Sequence, residues 1–178
     1  MVVVVWTTTK DRLLVATPAL TDPNFDRTVV YVLEHSSEGA LGVVINRPGR
    51  LPAAAAVPAW AERATEPSML YDGGPVEPGG VIGLGRRVAD GRPMPVDLTE
   101  APDGHTPAVD QIRLFNGYAG WGAGQLDYEL TEHAWIVLDA RTDDIFSGEP
   151  RELWRAVLAR QPGRLAWLAR FPDDVQAN

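Results

Sequence analysis

Short apolar runs separated by turn-forming residues dominate this chain. Leu13-Leu14-Val15-Ala16 is one such run, ended by Thr17-Pro18, and predicts a buried strand. A turn-rich segment, Thr21-Asp22-Pro23-Asn24-Phe25-Asp26, follows. Residues 27–34 are dense in β-branched and aromatic side chains and give the clearest strand. The polar stretch 35–39 supplies a turn, and residues 40–46 read as the returning strand of a β-hairpin. Further strands are predicted at 69–71, 81–84, 112–115 and 134–138.

Helical signals are fewer. A short helix is expected around 59–65, and another over 124–132, where Leu126 and Leu130 fall one turn apart. The best helix lies beyond Ser147: Pro150 suits its first turn, and Leu153, Trp154, Val157 and Leu158 form one apolar stripe. Leu165, Trp167 and Leu168 are expected to add a last packed segment. Residues 90–110 carry Pro93, Pro95, Pro102 and Pro107 with little periodicity, and read as a mobile surface excursion. Strands outnumber helices and no regular β-α-β alternation appears. The pattern therefore predicts one α+β domain spanning 1–178, not a doubly wound sheet.

Composition narrows the chemistry. A chain of 178 residues can bury a core without cross-links, and with no cysteine it can form no disulfide, thiolate zinc site or cysteine nucleophile. The opening Met1-Val2-Val3-Val4-Val5-Trp6 is apolar but too short for a span and lacks a basic leader; an N-terminal strand or ragged tail, a cytoplasmic location and no membrane association are expected. Net charge is -8, with 24 acidic against 16 basic residues, which opposes direct nucleic-acid binding. Arginine patches remain at Arg86-Arg87 with Arg92, and at Arg151, Arg155 and Arg160. For these a solvated surface is the expected role.

The most distinctive stretch is Gly117-Tyr118-Ala119-Gly120-Trp121-Gly122-Ala123-Gly124-Gln125-Leu126. It reads either as a binding loop or as a crowded structural turn in which Tyr118 and Trp121 pack the core. No Lys or Arg accompanies it, and Asp127 and Glu129 follow at once, so phosphate cradling is disfavoured. A dinucleotide fingerprint fails on both spacing and context.

Several motifs occur in a telling order: Leu13-Leu14-Val15-Ala16-Thr17-Pro18, Asp22-Pro23-Asn24-Phe25-Asp26-Arg27, Glu38-Gly39-Ala40-Leu41-Gly42-Val43-Val44-Ile45-Asn46-Arg47-Pro48, Gly73-Gly74-Pro75-Val76 and the glycine run itself. Together, over about 13–154, they resemble the AlgH/YqgE family of bacterial cytoplasmic proteins. The resemblance implies a strongly bent, mixed, largely antiparallel sheet, partly closed into a barrel with helices packed around it. Some members carry the label of transcriptional regulator, and no catalytic residues carry over. One departure is visible: where many relatives continue with an Arg-Gly-Phe-Val-Leu-His run, this chain has Gly79-Gly80-Val81-Ile82-Gly83-Leu84.

Two constellations compete for function. Polar residues gather at predicted strand ends, namely Thr17, Asp22, Arg27, Asn46, Arg47, Asp72 and Asn116. With Gly117, Tyr118, Gly120, Trp121 and Gly122 they form the candidate site of a non-enzymatic binding or regulatory protein. Its ligand is a protein partner or small molecule, acting if at all on transcription indirectly, and the chain is expected to be a monomer or weak dimer. The alternative is a hydrolase or transferase using Asp22, Arg27, His35 and Asp72. His35 lies beside Ser36 in what reads as a solvated turn, with no serine-nucleophile elbow and no close histidine spacing. No metal and no cofactor are expected.

Overall fold

One thirteen-residue strand, β8 (Val109–Trp121), organises the computed structural model, which describes residues 8–173. The other strands are β1 (Arg12–Ala16), β2 (Val29–Ser36), β3 (Gly39–Val44), β4 (Pro48–Pro52), β5 (Met69–Asp72), β6 (Val76–Arg87), β7 (Pro93–Val96) and β9 (Trp135–Asp139). They form a single mixed sheet in the order β4-β5-β8-β3-β2-β1-β9, with β6 on the other edge of β8 and β7 beyond it. Only the β5–β8 pairing is parallel among these strands. Among the described residues the expected partial barrel is not found: β4 and β9 end an open path. Because β8 holds β6 along one edge and both β5 and β3 along the other, the sheet branches there instead of returning to close.

Burial of both sheet faces explains the unbroken apolar runs. Leu13 and Val15 of β1 face one core while Leu14 and Ala16 face a second, and β2 divides Val29 and Tyr31 from Val30 and Val32 in the same way. A strand covered on both sides loses the polar alternation of a half-exposed one. The first core is closed by helices α3 (Thr142–Ile145), α4 (Leu153–Ala159) and α5 (Leu165–Leu168). The second core is closed by α2 (Gln125–Thr131) and by Leu20 and Phe25 of the 17–28 loop. A third core gathers under α1 (Ala53–Ala56) and the 3-10 turn Pro58–Arg63 around the fully buried Trp60. Strand β8 contributes to all three, through Phe115, through Ala119 and Trp121, and through Ile112 and Leu114.

Several expectations shift. The hairpin is present as β2–β3, closed by residues 37–38. Two strands, β4 and β7, fall where prolines pointed to loops; each is an edge strand pairing with one neighbour, where a missing N–H costs little. The 90–110 segment therefore contains β7, and its remainder is tied down: Trp60 Nε1 donates to Glu100 O (3.2 Å), and Arg63 Nη1 donates to Pro102 O (2.6 Å). Helix α4 buries Leu153, Trp154, Val157 and Leu158 as its stripe predicts. In α5, Leu165 and Leu168 pack on the first core but Trp167 is 78% exposed, so it does not join the packing. The expectation for Met1–Trp6 lies outside the described residues.

Candidate functional site

The glycine run is neither a loop nor a turn over most of its length. Gly117, Tyr118, Ala119, Gly120 and Trp121 are the last five residues of β8. Gly117 has φ +69, and a Cβ there would lie 2.5 Å from Gly74 O and 2.8 Å from Val76 O. Gly74 answers it from the facing segment, where a Cβ would overlap the Tyr118 carbonyl. Bare backbone is required where these segments cross. Trp121 is 6% exposed; in the second core it stacks on Phe25 and meets Trp135 edge to face, with centroids 6.3 and 6.0 Å apart. Its indole Nε1 donates to Glu129 Oε2 (2.9 Å), and Trp135 Nε1 donates to the same oxygen (2.8 Å). Of the candidate residues in the run, Gly120 and Gly122 are exposed and Tyr118 is partly buried; Tyr118 lines a hollow with Glu77 and Ile82.

The polar strand-end residues separate into distinct jobs. Asn46 is buried and stitches the loop to the sheet: its Oδ1 accepts from Val29 N (2.9 Å) and its Nδ2 donates to Arg27 O (2.9 Å). Arg47 holds the same loop from outside, donating to Pro23 O (3.2 Å), Asn24 O (2.8 Å) and Asp26 O (2.8 Å). Asp22 caps the turn by accepting from Asn24 N. Thr17 Oγ1 donates to His133 O (3.0 Å). Arg27 does not pair with Asp22 or Asp26; it lies 4.6 Å over the Trp154 ring, donates to Phe171 O and Pro172 O, and pairs with Asp173 (3.1 Å). It fastens the C-terminal segment.

Asp72, Asn116 and Arg47 do come together. With Asn24, Gly74 and Pro75 they line an open hollow of about 280 Å³. Asp72 and Asn116 are direct partners across the β5–β8 ladder. Asn116 Oδ1 accepts from Gly79 N (2.7 Å), which fixes the amide orientation. The exposed Asp72 carboxylate forms no hydrogen bond or ion pair among the described residues.

His35 corrects the solvated-turn expectation. It lies within β2, and its side chain is 5% exposed against α2. Nδ1 accepts from Thr9 N (3.1 Å) and lies 3.0 Å from Thr9 Oγ1, while Nε2 lies 3.4 Å from Asp127 Oδ1. Thr9 is fully buried, so this Thr–His–Asp line has no exposed hydroxyl to act as a nucleophile. Sequence reading missed Thr9, Asp127 and Glu129 as partners of these side chains. An acidic residue early in a helix also serves the helix dipole, so no local signal set them apart. Among the described residues no group of three or more His, Asp or Glu side chains is placed to hold a metal, and no helix is long and apolar enough to cross a membrane.

An open mixed sheet of this topology, with ordered glycine crossings and a polar strand-end hollow, defines a recognisable class. The sequence model described as AlgH-like matches residues 13–166, and the chain belongs to that family. It is 48% identical over 181 aligned positions to the UPF0301 protein of Streptomyces coelicolor, covering 94% of each chain. Against the UPF0301 protein of Mycobacterium leprae the identity is 42%, covering 93% of this chain and 89% of that one. Among solved structures, a Corynebacterium diphtheriae protein superposes with a TM-score of 0.85 at 29% identity, covering 91% and 92% of the two chains. The AlgH protein from Pseudomonas aeruginosa gives 0.68 at 29% identity, covering 98% and 100%.

Proposed function

We propose that this protein is a non-enzymatic binding or regulatory protein whose partner or small ligand docks at the Asp72–Asn116 hollow. What carries the reading is one pairing. An unengaged carboxylate and a carboxamide whose oxygen is already taken stand side by side on adjacent strands. They offer carboxylate acceptors beside amide N–H donors, the complement of a peptide amide or a carboxamide. Arg47 spends its N–H groups on three carbonyls and keeps the rim in place without needing a ligand. A rigid, pre-set rim lowers the ordering cost of binding.

The dispersal of the other polar groups supports binding over catalysis. A hydrolase or transferase needs its base and orienting groups within about 3 Å of a shared point. Asp22 caps a turn, Arg27 holds the C-terminal segment, His35 is walled in by Thr9 and Asp127, and only Asp72 faces this hollow. Any effect on transcription goes through the bound partner, because a surface of net charge -8 repels the duplex.

A thermal-shift screen tests the reading, using peptide amides, small carboxamides and fractionated cell extract as separate arms. A ligand at 100 times its dissociation constant adds about 2.7 kcal/mol of stability. The expected hit raises Tm, loses its effect in Asp72→Ala and keeps it in Arg27→Gln; the arm that yields it tells a small ligand from a macromolecular partner. Hits indifferent to Asp72→Ala, or turnover of a ligand that stops in His35→Gln, overturn the proposal.

A further inference from the structure

A second hollow, of about 300 Å³, opens where the β6–β7 turn meets α3. Tyr31 and Ile145 line it beneath a rim that includes Asp11, Arg87, Arg92 and Arg141. Three arginines converge on one depression in a chain with a net charge of -8. Their states differ. Arg87 is engaged by Asp90, which accepts from its Nε (2.8 Å) and its Nη2. The guanidinium groups of Arg92 and Arg141 make no hydrogen bond or ion pair among the described residues, although both border the hollow. Asp11 brings one spare acceptor: its Oδ1 receives the Tyr31 hydroxyl (3.1 Å). Burial, with Asp11 beside it, pushes the Tyr31 hydroxyl pKa up, so it remains a donor to that carboxylate.

The frame is set before any ligand arrives. Gly91 N donates to Arg87 O (2.8 Å), Arg87 N donates to Arg92 O (2.9 Å), and Thr142 Oγ1 donates to Gly91 O (2.8 Å), locking the turn against α3. We infer that this hollow binds a small phosphate ester bearing hydroxyl groups, its phosphate held by Arg92 and Arg141 and a hydroxyl donated to Asp11. The geometry matches the chemistry. Planar guanidinium forks fit phosphate oxygens in pairs, and two forks can share one tetrahedral group. Asp11 on the same rim repels a bare anion but accepts from a polyol. The space exceeds what inorganic phosphate needs and lies at the small end of ordinary ligand sites.

The test uses ribose 5-phosphate, ribose and inorganic phosphate as probes, followed by calorimetry and by the arginine Nε–H signals in NMR. Ribose 5-phosphate is expected to bind saturably with a Kd below about 1 mM and to shift the Arg92 and Arg141 signals. Ribose is expected not to bind, and inorganic phosphate to bind more weakly. The double variant Arg92→Gln/Arg141→Gln should lose about tenfold or more in affinity, whereas Arg50→Gln/Arg164→Gln, which removes equal charge elsewhere, should change it by less than about twofold. Asp11→Asn should narrow the gap between ribose 5-phosphate and inorganic phosphate. Asp72→Ala should leave binding intact, so this site and the Asp72–Asn116 hollow stand or fall separately. No saturation up to about 10 mM, or equal losses in both double variants, overturns the inference. Neither guanidinium has a hydrogen bond or ion pair among the described residues, so an unchanged Tm is expected and certifies each variant.

Discussion

The 117–124 run and the 87–92 turn make an instructive pair. The first is conspicuous in sequence, with four glycines around two aromatics, and the structure builds its strand half into the fold: Gly117 permits a backbone crossing, and Trp121 fills a core. The second is an unremarkable surface turn, yet it delivers Arg87 and Arg92 to a hollow that Arg141 completes. Unusual residues at close spacing answer unusual backbone demands, and those demands belong to the fold. Accessible chemistry arises where distant segments meet, and no short window of sequence records that meeting.

The largest expected effect lies in the run itself. Gly117→Ala forces a side chain into a left-handed φ with Gly74 O at 2.5 Å, so the crossing must open. A loss of about 3 kcal/mol or more is expected. Gly122→Ala, where nothing closer than 3.9 Å meets the new methyl, should cost within about 0.5 kcal/mol. Urea denaturation of the two variants measures the contrast. Similar midpoints for both would mean that the glycines do not serve the crossing and would reopen a ligand role for the run.

A middle effect is expected at Glu129. Its single Oε2 satisfies two buried indole donors, and its Oε1 accepts from Gln125 Nε2 (3.1 Å). Glu129→Ala leaves both N–H groups of Trp121 and Trp135 without their acceptor, at about 1–3 kcal/mol. Glu129→Gln keeps an oxygen in place and should cost less. Tryptophan fluorescence during unfolding reports on the two rings directly. If both variants match the parent, the indoles are solvated and Trp121 returns to the list of ligand contacts.

How much of this was legible beforehand depends on the range of the interaction. The β2–β3 hairpin, strands β1, β5 and β9, and helices α2 and α4 follow from local apolar patterns, and the packing of α4 from its stripe. Strands β4 and β7 were hidden because proline punctuates a chain locally, whereas edge position is decided by the rest of the sheet. At the site, Arg47, Asp72 and Asn116 were selected as polar strand-end residues and do share a hollow. Arg27 and Asn46 have structural tasks set by partners up to 145 positions away, as with Arg27 and Pro172. Thr142 Oγ1 reaches Gly91 O across 51 positions, and that tie builds the arginine hollow.

The smallest expected effect sharpens the difference between Arg87 and its two neighbours. The Asp90 carboxylate accepts from the Arg87 guanidinium and from Arg92 N (3.1 Å), and these bonds, the Arg87 side chain foremost, hold its pKa down to about 2. A carboxyl depressed in the folded state contributes stability that is present above its ordinary value and is lost as pH falls through about 2. Because Asp90 lies on the exposed surface, the effect belongs in its own titration, not in global stability. Carboxyl-detected NMR should place the Asp90 midpoint near 2, and Arg87→Gln should return it toward about 3.9. Asp90 then has a firm hold on Arg87 and only a longer-range attraction for Arg92, leaving Arg92 and Arg141 as the rim cations without a hydrogen bond or ion pair among the described residues. An ordinary midpoint in the parent would mean that Arg87 is loosely held and turns into the hollow as a third ligand for the phosphate.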